Sequence, residues 1–141
     1  MTSDDIKNIE NDLNINLPKH YVDFIQNFKG FQSRDLYLEN FIYTDSEYLI
    51  QINKLLGFYL TAKFIKKKLC IGENGGGDFY LIDLENPEIE KVYYLDHEES
   101  TEKSYNPTTD TWKWDELEFY DNMNDFKNSL LEDFGMKISE I

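Results

Sequence analysis

The chain has 141 residues, 40% hydrophobic and 16% aromatic, with 28 Asp and Glu against 14 Lys and Arg for a formal charge of −14. That length suffices for one domain, residues 1–141, with its own core, and the aromatic content argues against disorder despite the charge. The charge disfavours nucleic acid and anionic membranes as partners, the lone Cys70 excludes a disulfide framework or cysteine zinc site, and the lack of a long apolar run or basic leader predicts a cytoplasmic protein.

The acidity is concentrated. Residues 85–125 hold thirteen acids and three lysines, while the other hundred residues carry a net charge of only −4. The one basic cluster, Lys63 with Lys66-Lys67-Lys68, is too short for a nucleic-acid stripe.

Ser3 is placed to cap a first helix, with Asp4 and Asp5 in its first turn and Ile6, Ile9 and Leu13 as its stripe. Leu17-Pro18 interrupts and restarts the chain. Tyr21, Phe24, Ile25 and Phe28 then fall at i, i+3, i+4 and i+7, and Gly30 is placed to end that helix in a left-handed cap. Leu36–Tyr43 reads as a strand. Thr44-Asp45-Ser46-Glu47 fits a capping box for a helix carrying Leu49, Ile52, Leu56 and Tyr59, which Gly57 weakens. Residues 68–72, 78–84 and 90–95 read as three successive strands, with Asn86-Pro87 as the second turn.

Within that run, Leu69–Leu84 (LCIGENGGGDFYLIDL) is the most informative stretch. A glycine-rich loop after a strand serves as a phosphate cradle when it opens a helix and offers amides to the anion. Here Phe79-Tyr80-Leu81-Ile82 leads into another strand, and no Lys-Ser or Lys-Thr pair follows the glycines. The pattern predicts a hairpin.

From Asp96 the chain turns acidic and irregular. Thr111–Trp114 reads as a short strand, and a final helix starts near Asp121 or Asn122, carries Met123, Phe126, Leu130 and Leu131, and ends at Gly135. Strands joined by short turns imply an antiparallel sheet, so the expected class is α+β: a single mainly antiparallel sheet with helices packed on one side.

Chemistry-bearing residues are sparse. His20 lies off the apolar stripe and reads as an exposed helix residue. His97, in Asp96-His97-Glu98-Glu99, invites a metal, but adjacent residues on an extended segment point to opposite faces. No calcium ladder and no nucleophile–histidine motif occurs, so no catalytic residue, metal or cofactor is expected. Cys70 reads as a packed thiol. Trp112 and Trp114 alternate on the short strand and share a face: buried packing is the default, and a binding hot spot the reading if they are exposed among Asp110, Asp115 and Glu116.

Three ordered pieces resemble the SUKH superfamily of Smi/Knr-like domains: Leu17-Pro18-x-x-Tyr21 with Phe24-Ile25 and Gly30; Ile71-Gly72-x-x-x-Gly-Gly77-Asp78 running into Tyr80-x-Ile82-Asp83; and Val92-Tyr93-Tyr94-x-Asp96-His97-Glu98 before a last helix entered by Asp125-Phe126. The resemblance runs from about Ile6 to Phe134. It implies an α+β domain that binds proteins, with no mappable catalytic residue. Leu17, Pro18, Tyr21, Gly72, Gly77, Asp78 and Asp96 are its structural motif, Asp78 being placed to hydrogen-bond turn amides. It further implies an immunity protein that neutralises a cognate bacterial toxin, a nuclease or other nucleic-acid-acting toxin with a basic surface, by occlusion. On that view Asp96, Glu98, Glu99, Glu102 and Asp115 steer the partner and Tyr105, Trp112 and Trp114 anchor it, the protein itself being a monomer or weak homodimer. The competing expectation is a regulatory or scaffolding module with an endogenous partner.

Overall fold

Helix α1, Ser3–Leu13, is closed at its start by Thr2 rather than Ser3. The Thr2 hydroxyl accepts from the Asp5 amide at 3.1 Å and the Asp5 carboxylate accepts from the Thr2 amide at 2.8 Å, a reciprocal capping box. Ile6, Ile9 and Leu13 are buried as the stripe requires. The computed structural model describes residues 1–32, 36–60, 67–96, 105–106, 108–109, 111–135 and 137–138, without the side chains of 36–37 and 56–60.

Helix α2, Lys19–Asn27, takes Pro18 as its N-cap, whose carbonyl accepts from the Tyr21 and Val22 amides at 3.1 Å. The entry is fixed from α1, since the Glu10 carboxylate accepts from the Leu17 amide at 3.0 Å. Tyr21 and Ile25 are fully buried. The helix stops at Asn27 with an extended Phe28, so Gly30 (φ 99°) is not its cap; it turns the chain into β1, Phe31–Gln32.

The strand expected over Leu36–Tyr43 is replaced by a helical turn, α3, Leu36–Glu39, followed by an irregular Phe41-Ile42-Tyr43. Those three residues are buried. The apolar run therefore reported burial correctly but carried no strand period. Helix α4, Ser46–Leu60, is capped by Asp45, not Thr44: the Asp45 carboxylate accepts from the Glu47 and Tyr48 amides at 2.9 and 3.3 Å.

The remaining strands are β2, Lys68–Glu73; β3, Phe79–Asp83; β4, Val92–Leu95; β5, Tyr105–Asn106; β6, Thr111–Trp112; β7, Phe119–Tyr120; and β8, Lys137–Ile138. A 3₁₀ turn covers Trp114–Glu116, so the strand expected over Thr111–Trp114 ends two residues early. Helix α5, Met123–Phe134, begins at Asn122, whose carboxamide oxygen accepts from the Asp125 amide at 2.8 Å, and ends at a left-handed Gly135. The hydrogen bonding defines an α+β protein with antiparallel pairing throughout the described residues. It also corrects the single sheet: a four-stranded sheet of order β2-β3-β4-β7 is joined by two-residue ladders, β1-β8 and β5-β6.

In the main sheet Cys70, Leu81, Tyr93 and Phe119 stand in line, and so do Tyr80 and Tyr94, with a bulge at Ile71 between Cys70 and Gly72. Positions in β2 and β3 are buried almost without alternation, so both faces are covered. Phe126 of α5 packs on Tyr80 and Tyr120 on one face (ring centroids 4.5 and 5.0 Å), and Trp114 packs on Tyr93 on the other (4.5 Å).

The outer side of β2 is met by two parts of the chain. Phe41–Tyr43 runs beside it, with Tyr43 N–H donating to Ile71 O and Glu73 N–H donating to Asn40 O, both at 2.9 Å. Asn53 of α4 reaches the same strand with its carboxamide, accepting from the Cys70 amide at 2.8 Å and donating to the Cys70 carbonyl at 2.9 Å. Gly72 is required here, because a Cβ would fall 1.8 Å from the Phe41 carbonyl oxygen.

Candidate functional site

The β2–β3 connection is the expected hairpin, and its internal chemistry differs from the expected one. Gly75 and Gly77 take positive φ, 81° and 102°. The turn amides are held by Asn74, whose carboxamide oxygen accepts from Gly76 N–H at 2.9 Å and Asp78 N–H at 3.2 Å. Asp78, expected in that role, instead holds Asn74 and Tyr94: its carboxylate accepts from Asn74 Nδ2 at 2.8 Å and from the Tyr94 hydroxyl. With the turn amides held by the carboxamide, the carboxylate is left to reach β4.

Asn74 and Tyr94 also line a cleft of about 900 Å³ on the α5 face of the sheet. Its floor is Tyr80, which touches Phe41 (5.9 Å) and Tyr94 (5.6 Å), while Phe134 at the end of α5 leans on Phe41 (5.1 Å). Residues 116–120 form the opposite wall. Phe119 and Phe134 stay 47% and 51% exposed at the rim. The phenols of Tyr94 and Tyr120 are both pushed up, in each case first by burial. Tyr94 is raised further by its hydrogen bond to Asp78 and by Asp96 and Glu118, and Tyr120 by Asp133 and Glu118.

A second aromatic array backs the other face. Tyr105 meets Trp112 at 5.0 Å, Trp112 stacks on Trp114 at 5.1 Å, Trp114 meets Tyr93 at 4.5 Å, and Tyr93 meets Phe119 at 6.3 Å. Of the expected anchors, Tyr105 and Trp112 are 2% and 7% exposed and belong to the core, while Trp114 is half-buried and Asp115 exposed. Trp112 and Trp114 do share a side, through a stacked pair rather than strand alternation. Asp96 sits half-buried just past β4. Glu98, Glu99 and Glu102, with His97, lie outside the described residues.

The cleft was missed because it gathers residues from six separate stretches of chain. The only local signal is the pair Glu116 and Glu118, which forms its acidic rim. His20 also needs correction. It is half-buried, with neither ring nitrogen hydrogen-bonded among the described residues, and burial lowers its pKa against an opposing pull from Glu90. Among the described residues no group of three or more His, Cys, Asp or Glu is placed to hold a metal ion. No described helix is long and apolar enough to cross a membrane.

The α+β fold, with Gly72 packed against Phe41 and the glycine turn tied to β4 through Asp78, is the scaffold that positions the aromatic cleft. The chain belongs to the SMI1 / KNR4 family (SUKH-1), whose model matches residues 1–129. No curated protein and no solved structure gave a match.

Proposed function

We propose that this protein is an immunity protein that binds a cognate bacterial toxin acting on nucleic acid and occludes its substrate-binding surface. Membership of the SMI1 / KNR4 family carries the proposal, since the superfamily that this chain resembles includes bacterial immunity proteins. The charge supports it. A toxin that grips phosphates needs a basic cleft, and a partner of formal charge −14 is attracted to such a cleft and competes with its substrate. Asp96, Glu98, Glu99, Glu102 and Asp115 supply the steering field, and half-buried Trp114, held by Tyr105 and Trp112, adds contact area.

The test is to identify the product of the neighbouring gene and co-express its C-terminal domain with this protein. Rescue of growth and co-purification of a stoichiometric complex are expected. Continued killing with no complex overturns the proposal.

A further inference from the structure

The aromatic cleft combines features that select one kind of side chain. Five rings line it (Phe41, Tyr80, Tyr94, Tyr120 and Phe134), together with Glu116 and Glu118, while Phe119 borders it from the sheet edge with its ring turned towards Tyr93. No Lys, Arg or His is among the described residues that line it. Two further anions act on its phenols: Asp78 accepts from the Tyr94 hydroxyl, and exposed Asp133 lies close enough to oppose ionisation of Tyr120. Aromatic faces attract cations through their quadrupoles, and carboxylates at the rim add attraction that water only partly screens. The molecule shows the same chemistry once beside the cleft, on the other face of the sheet, where the Lys91 ammonium stands 4.0 Å over the Phe119 ring.

We propose that this cleft seats an arginine or lysine side chain projecting from a loop of the protein partner. The proposal rests on the immunity reading and names where and by what chemistry the toxin is gripped. The volume, about 900 Å³, admits the cation together with its apolar neighbours, and the exposed ring of Phe134 covers the aliphatic stem. Arginine suits the site better than lysine, because its planar guanidinium stacks on rings while donating to Glu116 or Glu118.

The probes are N-acetyl-arginine amide and its neutral isostere N-acetyl-citrulline amide, titrated into the full chain at millimolar concentration and followed by two-dimensional NMR. Arginine should give saturable shifts at Tyr94, Glu118, Phe119 and Tyr120, and citrulline none. Glu118→Gln and Phe134→Ala, both at the rim, should each weaken binding about threefold. Equal responses to the two probes, no response to either, or a dimer that buries the same signals and is abolished by Phe134→Ala would overturn the proposal. Rescue from the toxin without arginine binding removes the cleft and leaves the immunity function. Arginine binding without rescue retains the cleft's chemistry and removes that function.

Discussion

The carboxylate of Asp78 accepts the hydroxyl proton of Tyr94 across the β3–β4 pair, and through this bond the glycine turn positions a wall of the aromatic cleft. The same carboxylate accepts from Asn74, so one residue ties turn, sheet and cleft together. Asp78→Ala is expected to cost about 1–3 kcal/mol in denaturant unfolding and to let the Tyr94 phenol ionise at lower pH by ultraviolet titration. Tyr94→Phe should destabilise by a comparable amount if the bond is the cause; an unchanged midpoint in both variants would contradict it.

Neighbouring glycines should respond very differently to alanine. At Gly72 the added Cβ meets the Phe41 carbonyl oxygen at 1.8 Å, and backbone must move. Gly72→Ala should cost about 3 kcal/mol or more. At Gly76 the nearest atom is the end of the Asn74 side chain at 3.4 Å. Gly76→Ala should remain within about 0.5 kcal/mol of the wild type in the same unfolding experiment.

Asn53 satisfies both backbone groups of Cys70 and also accepts from the Lys68 ammonium at 3.4 Å. Asn53→Ala strands buried polar groups on β2, at an expected cost of about 2–4 kcal/mol. Hydrogen exchange at the Cys70 amide, fast in the variant and slow in the wild type, would locate the loss.

Burial lowers the Lys68 ammonium to about 7 from its ordinary 10.5. Above pH 7 the unfolded chain therefore binds more protons than the folded one, and stability rises with pH. Cys70 opposes this at higher pH, because burial pushes its thiol up to about 11 and the unfolded thiol ionises first. The rise should be clearest between pH 7 and 9 and absent there in Lys68→Met, while a slope just below pH 6.5 belongs to His20, whose pKa burial also lowers. Unfolding free energies measured over this range in both proteins check it.

Reversing Glu98, Glu99 and Glu102 to lysine should slow association with the toxin about tenfold at low salt and flatten its salt dependence. Stopped-flow kinetics at several ionic strengths measure both effects. Unchanged rates would remove the acidic stretch from the encounter.

How far residues alone carried the structure depended on whether a local period existed. Ile6, Ile9 and Leu13 recur at helical spacing and face the core. The run on either side of the glycines paired as a hairpin because Gly75 and Gly77 reach the positive φ that the turn requires and other residues rarely adopt. Strands of two residues, such as Phe119–Tyr120, have no period to detect. Phe41–Tyr43 misled because a buried segment bonded at two points looks, in apolar content, like a strand. The cleft was illegible for another reason: Phe41, Tyr80 and Phe134 meet only through the tertiary fold.

The arrangement around β2 also bears on how the protein behaves without a partner. Asn40, Tyr43 and Asn53 occupy hydrogen-bonding groups that an outer strand would otherwise offer to another molecule. That margin is closed to strand-by-strand growth, so aggregation cannot begin there. This covered margin adds a structural barrier to self-association to the electrostatic one set by a formal charge of −14.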